Sequence, residues 1–175
     1  MRIIAGKYRG KKLAPIQGDG IRPTPDRVKE SLFQILSARI ANARVLDLFA
    51  GSGALGIECL SRGAKEVVFN DGSREGLLLV QRNLKLVGEN ARVTNLDFRT
   101  SLKTQEKKFD LIFCDPPYKE SYLKEILEVI AARALLHEDG LVIYESEREE
   151  TGAEGWVLAD LRKYGRTMVG MWKQS

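Results

Sequence analysis

Residues 45–56 read VLDLFAGSGALG, and this stretch decides the fold. Its apolar first half predicts a buried strand, and the glycines at 51, 53 and 56 have the G-x-G-x-x-G spacing of a turn that leads from a strand into a helix. Asp71 lies 20 residues after Gly51, where the next predicted strand ends. Glycines let a ligand approach the backbone, and such an acid can accept both hydroxyls of a ribose. The pattern therefore indicates a site for an adenosine-containing cofactor.

The sequence on either side of this turn predicts an α/β fold. Five apolar strands, at 45–49, 67–71, 92–97, 109–114 and 141–146, alternate with helical segments, the last of them at about 120–136. This alternation is typical of a mostly parallel sheet with helices on both faces. Segments 156–164 and 167–173 predict a C-terminal antiparallel hairpin, which brings the sheet to seven strands. The predicted class is a Rossmann-like α/β domain.

The N-terminal segment differs from the rest of the chain. Residues 2–4 and 11–14 predict a small β-hairpin. A helix follows that Thr24 would cap, and its expected apolar stripe is Val28, Leu32, Ile35, Leu36 and Ile40. We expect a basic hairpin appendage over 1–20 and the main domain over 21–175.

Composition excludes several classes of protein. The chain has 175 residues, 43% of them hydrophobic and 30% charged, as in one soluble globular domain. It has one histidine, and its two cysteines, Cys59 and Cys114, lie far apart in apolar runs. We therefore expect no metal site, no disulfide and two buried thiols. Since no apolar run is long enough for a membrane span or a signal peptide, we expect a cytoplasmic protein with no membrane partner.

The identity of the cofactor depends on Asp47, four residues before Gly51. A carboxylate there would repel the pyrophosphate of NAD, whereas it suits the ammonium and sulfonium of S-adenosylmethionine. Asp97, at the end of the third predicted strand, could accept the adenine amino group, and Phe98 could pack on the ring. The candidate cofactor-binding residues are Asp47, Ala50, Gly51, Ser52, Gly53, Asp71, Asp97 and Phe98.

Residues 115–118 read DPPY and follow the fourth predicted strand. Ligands of such sheets bind beyond the carboxyl ends of the strands where the strand order reverses, and there the first and fourth strands meet. The two prolines have no amide donors, so the turn offers carbonyls, a carboxylate and an aromatic ring. These groups suit the exocyclic amine of a base, with Asp115 and the Pro116 carbonyl accepting its N–H groups and Tyr118 stacking on the ring. The candidate catalytic residues are Asp115, Pro116, Pro117 and Tyr118.

The excess of positive charge is confined to the first 44 residues, which hold ten Lys and Arg against three acids. Such a segment indicates contact with a polyanion. The candidate residues for binding a polyanion such as RNA are Lys7, Tyr8, Arg9, Lys11, Lys12, Arg22, Thr24 and Arg27. The acids at 147, 149 and 150 indicate that the polyanion does not lie along that part of the chain.

The motif DLFAGSG at 47–53, together with DPPY, resembles those of amino-methylating enzymes that use S-adenosylmethionine. With RIIAGK at 2–7, RPT at 22–24, Arg27 and LSRGA at 60–64, the chain resembles the RsmD family of bacterial small-subunit ribosomal RNA guanine-N2 methyltransferases. The resemblance implies methyl transfer to a guanine N2 amine. It further implies ribosomal RNA as partner, either free or in a partly assembled small subunit, and a monomeric enzyme. Family members usually carry Glu where this chain has Asp71.

Two other functions remain open at this point. DPPY is shared with DNA adenine methyltransferases, so methylation of an adenine N6 in RNA or DNA is the nearest alternative. A non-catalytic RNA-binding protein with a relic cofactor fold is the other. Cysteine-dependent methylation is disfavoured, because strand alternation points Cys114 away from the Asp115 side chain.

Overall fold

The computed structural model describes residues 1–17, 25–117 and 120–175. The helices are α1 (Asp26–Ile35), α2 (Ser37–Ile40), α3 (Ala54–Ser61), α4 (Arg74–Val87), α5 (Phe98–Lys103) and α6 (Leu123–Ala132). The strands are β1 (Arg44–Asp47), β2 (Glu66–Asn70), β3 (Arg92–Thr94), β4 (Phe109–Cys114), β5 (Leu136–Ser146), β6 (Trp156–Tyr164) and β7 (Thr167–Gln174).

The seven strands form one sheet in the order β3-β2-β1-β4-β5-β7-β6. The first five strands are parallel to one another, and β7 is antiparallel to both β5 and β6. One buried cluster joins the sheet to α1, α3 and α4, and a second joins its other face to α5 and α6. The predicted class, the C-terminal hairpin and the pairing of the first with the fourth strand are confirmed.

Several element boundaries differ from the prediction. The third strand is shorter because α5, which the sequence analysis did not predict, begins at Phe98 with Asp97 as its N-cap. Helix α6 ends at Ala132, so β5 begins five residues earlier than expected, at Leu136. Ile35 is exposed rather than part of the apolar stripe, because α1 ends there and Phe33 takes the buried position.

The N-terminal segment packs closely on the main domain. The two predicted strands amount to a single antiparallel bridge between Arg2 and Lys12. Ile3 and Leu13 are buried in the cluster that contains α1 and α3. The expected division at residue 20 and the expected cap Thr24 lie outside the described residues, and Pro25 precedes α1 without a side-chain cap bond.

Two expectations from composition have direct counterparts in the structure. Cys59 and Cys114 are free and buried, as predicted. Burial raises the pKa of both thiols, and Cys114 packs in the cluster under α6 rather than toward the turn that follows it. Within the described ranges, no helix is both long and apolar enough to cross a membrane.

Candidate functional site

The site lies at the carboxyl edge of the sheet, where β1 and β4 are neighbours. Asp47 ends β1 and is paired in register with Phe113 of β4, two residues before Asp115. The glycine turn after β1 and the proline turn after β4 therefore meet at one edge, as the topology predicted.

Asp47 is almost fully buried, with 2% of its surface exposed. Its Oδ2 accepts a hydrogen bond from the Gly56 amide at 3.0 Å. Burial raises the pKa of Asp47 from 3.8 to about 7; the charge of Asp71 adds to the shift and the Gly56 bond opposes it. A buried carboxylate with so little compensation is stabilised by any cation that binds beside it.

The backbone of the glycine turn adopts a conformation that favours glycine. Gly51 and Gly53 have φ of +55° and +78°, in the left-handed region that favours glycine. The Gly51 amide donates to Asp71 Oδ2 at 2.7 Å, and Asp71 Oδ1 accepts from the amide and the hydroxyl of Ser73. Asp71 thus braces the turn from the end of β2, and its side chain is partly exposed beside it. The expected ribose contact stays a prediction.

Asp97 and Phe98 occupy the start of α5. Asp97 Oδ1 accepts from the Arg99 amide at 2.9 Å, and the side chain is 55% exposed. Phe98 is buried between the rings of Phe49 and Tyr122, at 5.4 and 5.1 Å between centroids. The Arg99 guanidinium carbon lies 4.3 Å from the centroid of the Phe98 ring. Both residues have structural roles, and their contact with adenine stays a prediction.

Asp115 follows β4 directly and is half-buried. Burial, and then the charges of Glu145 and Asp47, raise the pKa of Asp115 well above its usual value. Pro116 is buried and Pro117 is exposed. Tyr118 lies outside the described residues, so its expected stacking on a base stays a prediction.

Sequence reasoning missed Glu145 as a member of this site. It follows Tyr144 on β5, and Tyr144 is paired with Cys114, so Glu145 is at the level of Asp115 on the neighbouring strand. Three carboxylates thus end three adjacent strands. A cleft of about 220 Å³ opens beside Glu145 and is lined by Pro116, Glu120, Tyr144, Glu145, Ser146, Glu147, Arg148 and Glu150. The sequence feature that could have identified Glu145 is an acid near the end of an apolar strand, the same feature that identified Asp47.

The predicted RNA-binding residues form two groups. Lys7 Nζ lies 2.6 Å from Glu89 Oε1, and the Tyr8 hydroxyl donates to that oxygen at 2.5 Å. The Lys7 and Lys11 ammonium groups lie 4.8 and 5.2 Å from the centroid of the Tyr8 ring. The other members that the structure describes, Arg9, Lys12 and Arg27, are exposed, whereas Arg22 and Thr24 lie outside the described residues. Tyr8 is therefore held by the protein, and the positive charge around it faces outward.

A buried charge network, which sequence reasoning missed, fixes this basic segment to α3. Glu58 is fully buried and accepts from the amides of Ile4 and Ala5, at 2.9 and 3.0 Å. Lys29, also fully buried, lies 3.4 Å from Glu58 Oε2 and donates to the Arg2 carbonyl at 2.7 Å. The sequence feature that could have identified this network is a charged residue at an apolar position in each of the two helices, Lys29 in α1 and Glu58 in α3.

The chain is similar to known proteins over most of its length. The family model described as conserved hypothetical protein 95 matches residues 1–173. Ribosomal RNA small subunit methyltransferase D of Escherichia coli K12 is 39% identical, over 85% of this chain and 76% of its own. The protein of the same name from Haemophilus influenzae is 38% identical, over 90% and 86%. A hypothetical protein of Thermus thermophilus has a solved structure that is 30% identical and covers 100% of this chain and 99% of its own, with a TM-score of 0.84.

Proposed function

Because the chain belongs to the family of ribosomal RNA small subunit methyltransferase D, we propose that it methylates the exocyclic N2 amine of a guanine in small-subunit ribosomal RNA. The methyl donor of this enzyme is S-adenosylmethionine. The observation that carries the proposal is the meeting of two turns at the ends of β1 and β4. One turn offers a buried carboxylate and a glycine-rich backbone, and the other offers Asp115 and the Pro116 carbonyl.

The residues at the end of β1 fit S-adenosylmethionine. Asp47 would pair with the positive amino-acid end of the cofactor, and a bound cation offsets the cost of burying this carboxylate. The turn at 51–53 would lie against the amino-acid and ribose portions, with Asp71 beside the ribose. When bound, S-adenosylmethionine supplies a methyl group on a positively charged sulfur.

The groups at the end of β4 would prepare the amine. The lone pair of an exocyclic amine is delocalised into the base and is a poor nucleophile. If Asp115 and the Pro116 carbonyl accept its two N–H bonds, the nitrogen is drawn toward sp³ geometry and its lone pair can point at the methyl group. As the N–C bond forms and the S–C bond breaks, the nitrogen gains positive charge and loses a proton. The raised pKa of Asp115 suits it to stabilise that charge and to accept that proton.

The charge distribution would direct RNA to one side of this edge. The exposed candidates Arg9, Lys11 and Lys12 lie on the N-terminal segment, in a turn whose Lys7 amide donates to the Ser61 carbonyl at the end of α3. The same segment continues to the glycine turn, where Ile16 lies beside Gly51. The cleft beside Pro116 is lined by acids that would repel phosphates but accept hydrogen bonds from a base. We propose that phosphates stay on the basic segment while the target base is extruded toward the proline turn. We also propose that the protein acts as a monomer in the cytoplasm, either on free RNA or on a partly assembled small subunit.

One experiment tests the function. Ribosomal RNA from cells lacking the protein is compared with wild-type RNA by mass spectrometry of nucleosides and by mapping of the modified position. We expect one N2-methylguanosine of the small-subunit RNA to disappear, and to return with the wild-type gene but not with Asp115→Ala. Loss of an N6-methyladenosine instead would support the adenine alternative. An unchanged set of modified nucleosides would support the non-catalytic one.

A further inference from the structure

Asn83 is a fully buried amide in the middle of α4. Its neighbours on the buried face of that helix are Leu79, Val80, Leu84 and Val87. Asparagine is a poor helix former, and an amide in apolar surroundings costs free energy unless it is hydrogen-bonded. A leucine here would suit both the helix and the core, so a role for the amide has to come from what it bonds.

The Asn83 side chain bonds two segments that are far apart in sequence. Its Oδ1 accepts from the Ala14 amide at 2.8 Å, and its Nδ2 donates to the Ala14 carbonyl at 3.0 Å. The same Nδ2 donates to the Ser52 carbonyl at 2.8 Å. Both N–H groups and the oxygen are used, and only this orientation of the amide matches one backbone donor and two carbonyls.

The two bonded segments are the two that the proposed reaction uses. Ser52 lies in the glycine turn, between Gly51 and Gly53. Ala14 follows the basic turn at 7–12 and precedes the segment that contains Arg22 and Thr24. Other contacts follow the same path: the Ser52 hydroxyl lies 3.9 Å from the Met1 sulfur, and a Cβ on Gly51 would lie 3.0 Å from Ile16 Cδ1. The N-terminal segment is thus directly in contact with the glycine turn.

We propose that Asn83 is a positioning residue that couples the glycine turn at 51–53 to the basic N-terminal segment. Through this coupling, the cofactor and RNA strengthen each other's binding. The inference rests on the proposed function, since it takes both ligands from it. A cofactor that fixes Ser52 also fixes the Asn83 amide, and the amide holds the backbone of Ala14 by two bonds. RNA then binds a segment that the cofactor has already made more rigid, so RNA binding costs less conformational entropy. This difference is what gives positive coupling between the two ligands. The coupling is reciprocal by linkage.

The test measures both ligands on the full chain. Binding of S-adenosylhomocysteine is measured by calorimetry with and without small-subunit ribosomal RNA purified from cells lacking the protein. Binding of that RNA is measured with and without saturating S-adenosylhomocysteine. For wild type we expect each ligand to tighten the other by about fivefold or more, the usual lower range of coupling between sites. For Asn83→Leu we expect that factor to fall to about one.

Gln105→Leu is the matched control. Gln105 is a buried amide after α5, and its side chain donates to the Ser101 carbonyl of that helix rather than to Ala14 or Ser52. A merely structural role of a buried amide would lower the melting temperature in both variants and leave the coupling factor unchanged in both. We expect the coupling between the two ligands to be lost only in Asn83→Leu. A folded Asn83→Leu protein with the wild-type factor, or a wild type without coupling, would overturn the proposal.

A second measurement needs no variant. Hydrogen exchange of the Ala14 amide, which donates to Asn83, is followed in wild type with and without S-adenosylhomocysteine. We expect the cofactor product to slow this exchange, and an unchanged rate contradicts the coupling even if Asn83→Leu fails to fold. Failure of the proposed function would be recognised separately, because wild type would then bind neither S-adenosylhomocysteine nor the RNA.

Discussion

Asp115 lies two residues beyond Phe113, the partner of Asp47 across the neighbouring parallel strands β4 and β1, and burial together with the charges of Glu145 and Asp47 raises the pKa of Asp115. Burial raises the pKa of Asp47 as well, to about 7. Burial and mutual repulsion therefore make the negative charges of Asp47 and Asp115 costly at this edge of the sheet. A methyl donor that brings an ammonium and a sulfonium would offset that cost, so the electrostatics favour a cationic cofactor.

Cofactor binding should weaken as the pH falls through 7. Below its pKa of about 7, Asp47 is protonated in the ligand-free protein, and a cationic ligand can use it only after the proton has left. We expect the affinity for S-adenosylmethionine to drop between pH 8 and pH 6, approaching tenfold per pH unit when one proton is released. Calorimetry in buffers with different ionisation enthalpies measures both the affinity and the number of protons released on binding.

Asp47→Asn is the control for this pH dependence. It keeps the oxygen that accepts from Gly56 but has no titrating group. We expect binding that is weaker at pH 8, by about 1–3 kcal/mol for the loss of a charged hydrogen-bond partner, and nearly independent of pH from 6 to 8. A variant that kept the wild-type pH profile would assign the proton to another group.

Asp115→Ala should remove turnover while the cofactor still binds. If the carboxylate positions the amine and accepts its proton, the single-turnover rate should fall by about 10²–10⁴-fold, the usual contribution of a positioned general base. Transfer of a radiolabelled methyl group to RNA measures the rate, and calorimetry measures the cofactor affinity. Glu149→Ala, which removes an exposed acid beyond β5, should leave both unchanged.

Tyr118→Ala should weaken the placement of the base. An aromatic ring that stacks on a base contributes about 1–3 kcal/mol, so KM for RNA should rise and Tyr118→Phe should be closer to wild type. Equal losses in the two variants would mean that the hydroxyl, rather than the ring, acts on the substrate. RNA titrations at saturating cofactor separate KM from kcat.

The parts of the site that sequence could predict are those fixed by local rules. Gly51 and Gly53 are required by left-handed backbone angles, and Asp47 and Asp115 were found because each ends an apolar strand. Helix α5 was missed because six residues are too few for a helical period to be visible, and its capping residue, Asp97, had been assigned to the preceding strand.

The contacts that bind the N-terminal segment depend on tertiary structure and could not be derived from local patterns. Glu58 meets Ile4 and Ala5 across more than fifty residues, and Asn83 meets Ala14 across 69. Their polar character on apolar helix faces was visible in the sequence, but their partners were not. The same holds for Glu145, which is brought to Asp115 only by the pairing of β4 with β5.

Removal of one partner from the buried Lys29–Glu58 pair should destabilise the fold. Glu58→Ala would leave the Lys29 ammonium without its counter-charge and the amides of Ile4 and Ala5 without their acceptor. We expect a loss of about 3–5 kcal/mol in the free energy of unfolding, and a smaller loss in the double variant Lys29→Met/Glu58→Leu. Urea denaturation measures both. Glu58 Oε1 also pairs with Arg62 Nε at 2.9 Å, and both variants lose that pair together with the backbone bonds. Identical losses would therefore mean that these contacts, and not the Lys29 pair, carry the stability.

Neutralising the exposed charges of the basic turn should weaken RNA binding without affecting the cofactor. Substitution is preferable to deletion here, because Ile3 and Leu13 of the same segment are part of the core. Arg9, Lys11 and Lys12 are exposed, and each phosphate contact that is lost should make the log–log salt dependence of RNA affinity shallower by roughly 0.7–0.9. Lys7→Gln alone should have a smaller effect, because Glu89 already pairs with that ammonium.

The matched control for the basic turn changes charge outside the N-terminal segment. Lys107 and Lys108 are exposed and directly precede β4, whose carboxyl end holds the site. The double variant Lys107→Gln/Lys108→Gln should leave both the affinity for RNA and its salt slope at wild-type values, whereas Arg9→Gln/Lys11→Gln/Lys12→Gln lowers both. Because non-specific phosphate contacts set affinity and not base choice, the methylated position should stay the same in every variant. If the control and the basic-turn variant changed the slope equally, RNA would be held by overall charge, and the N-terminal segment would have no special part in its binding.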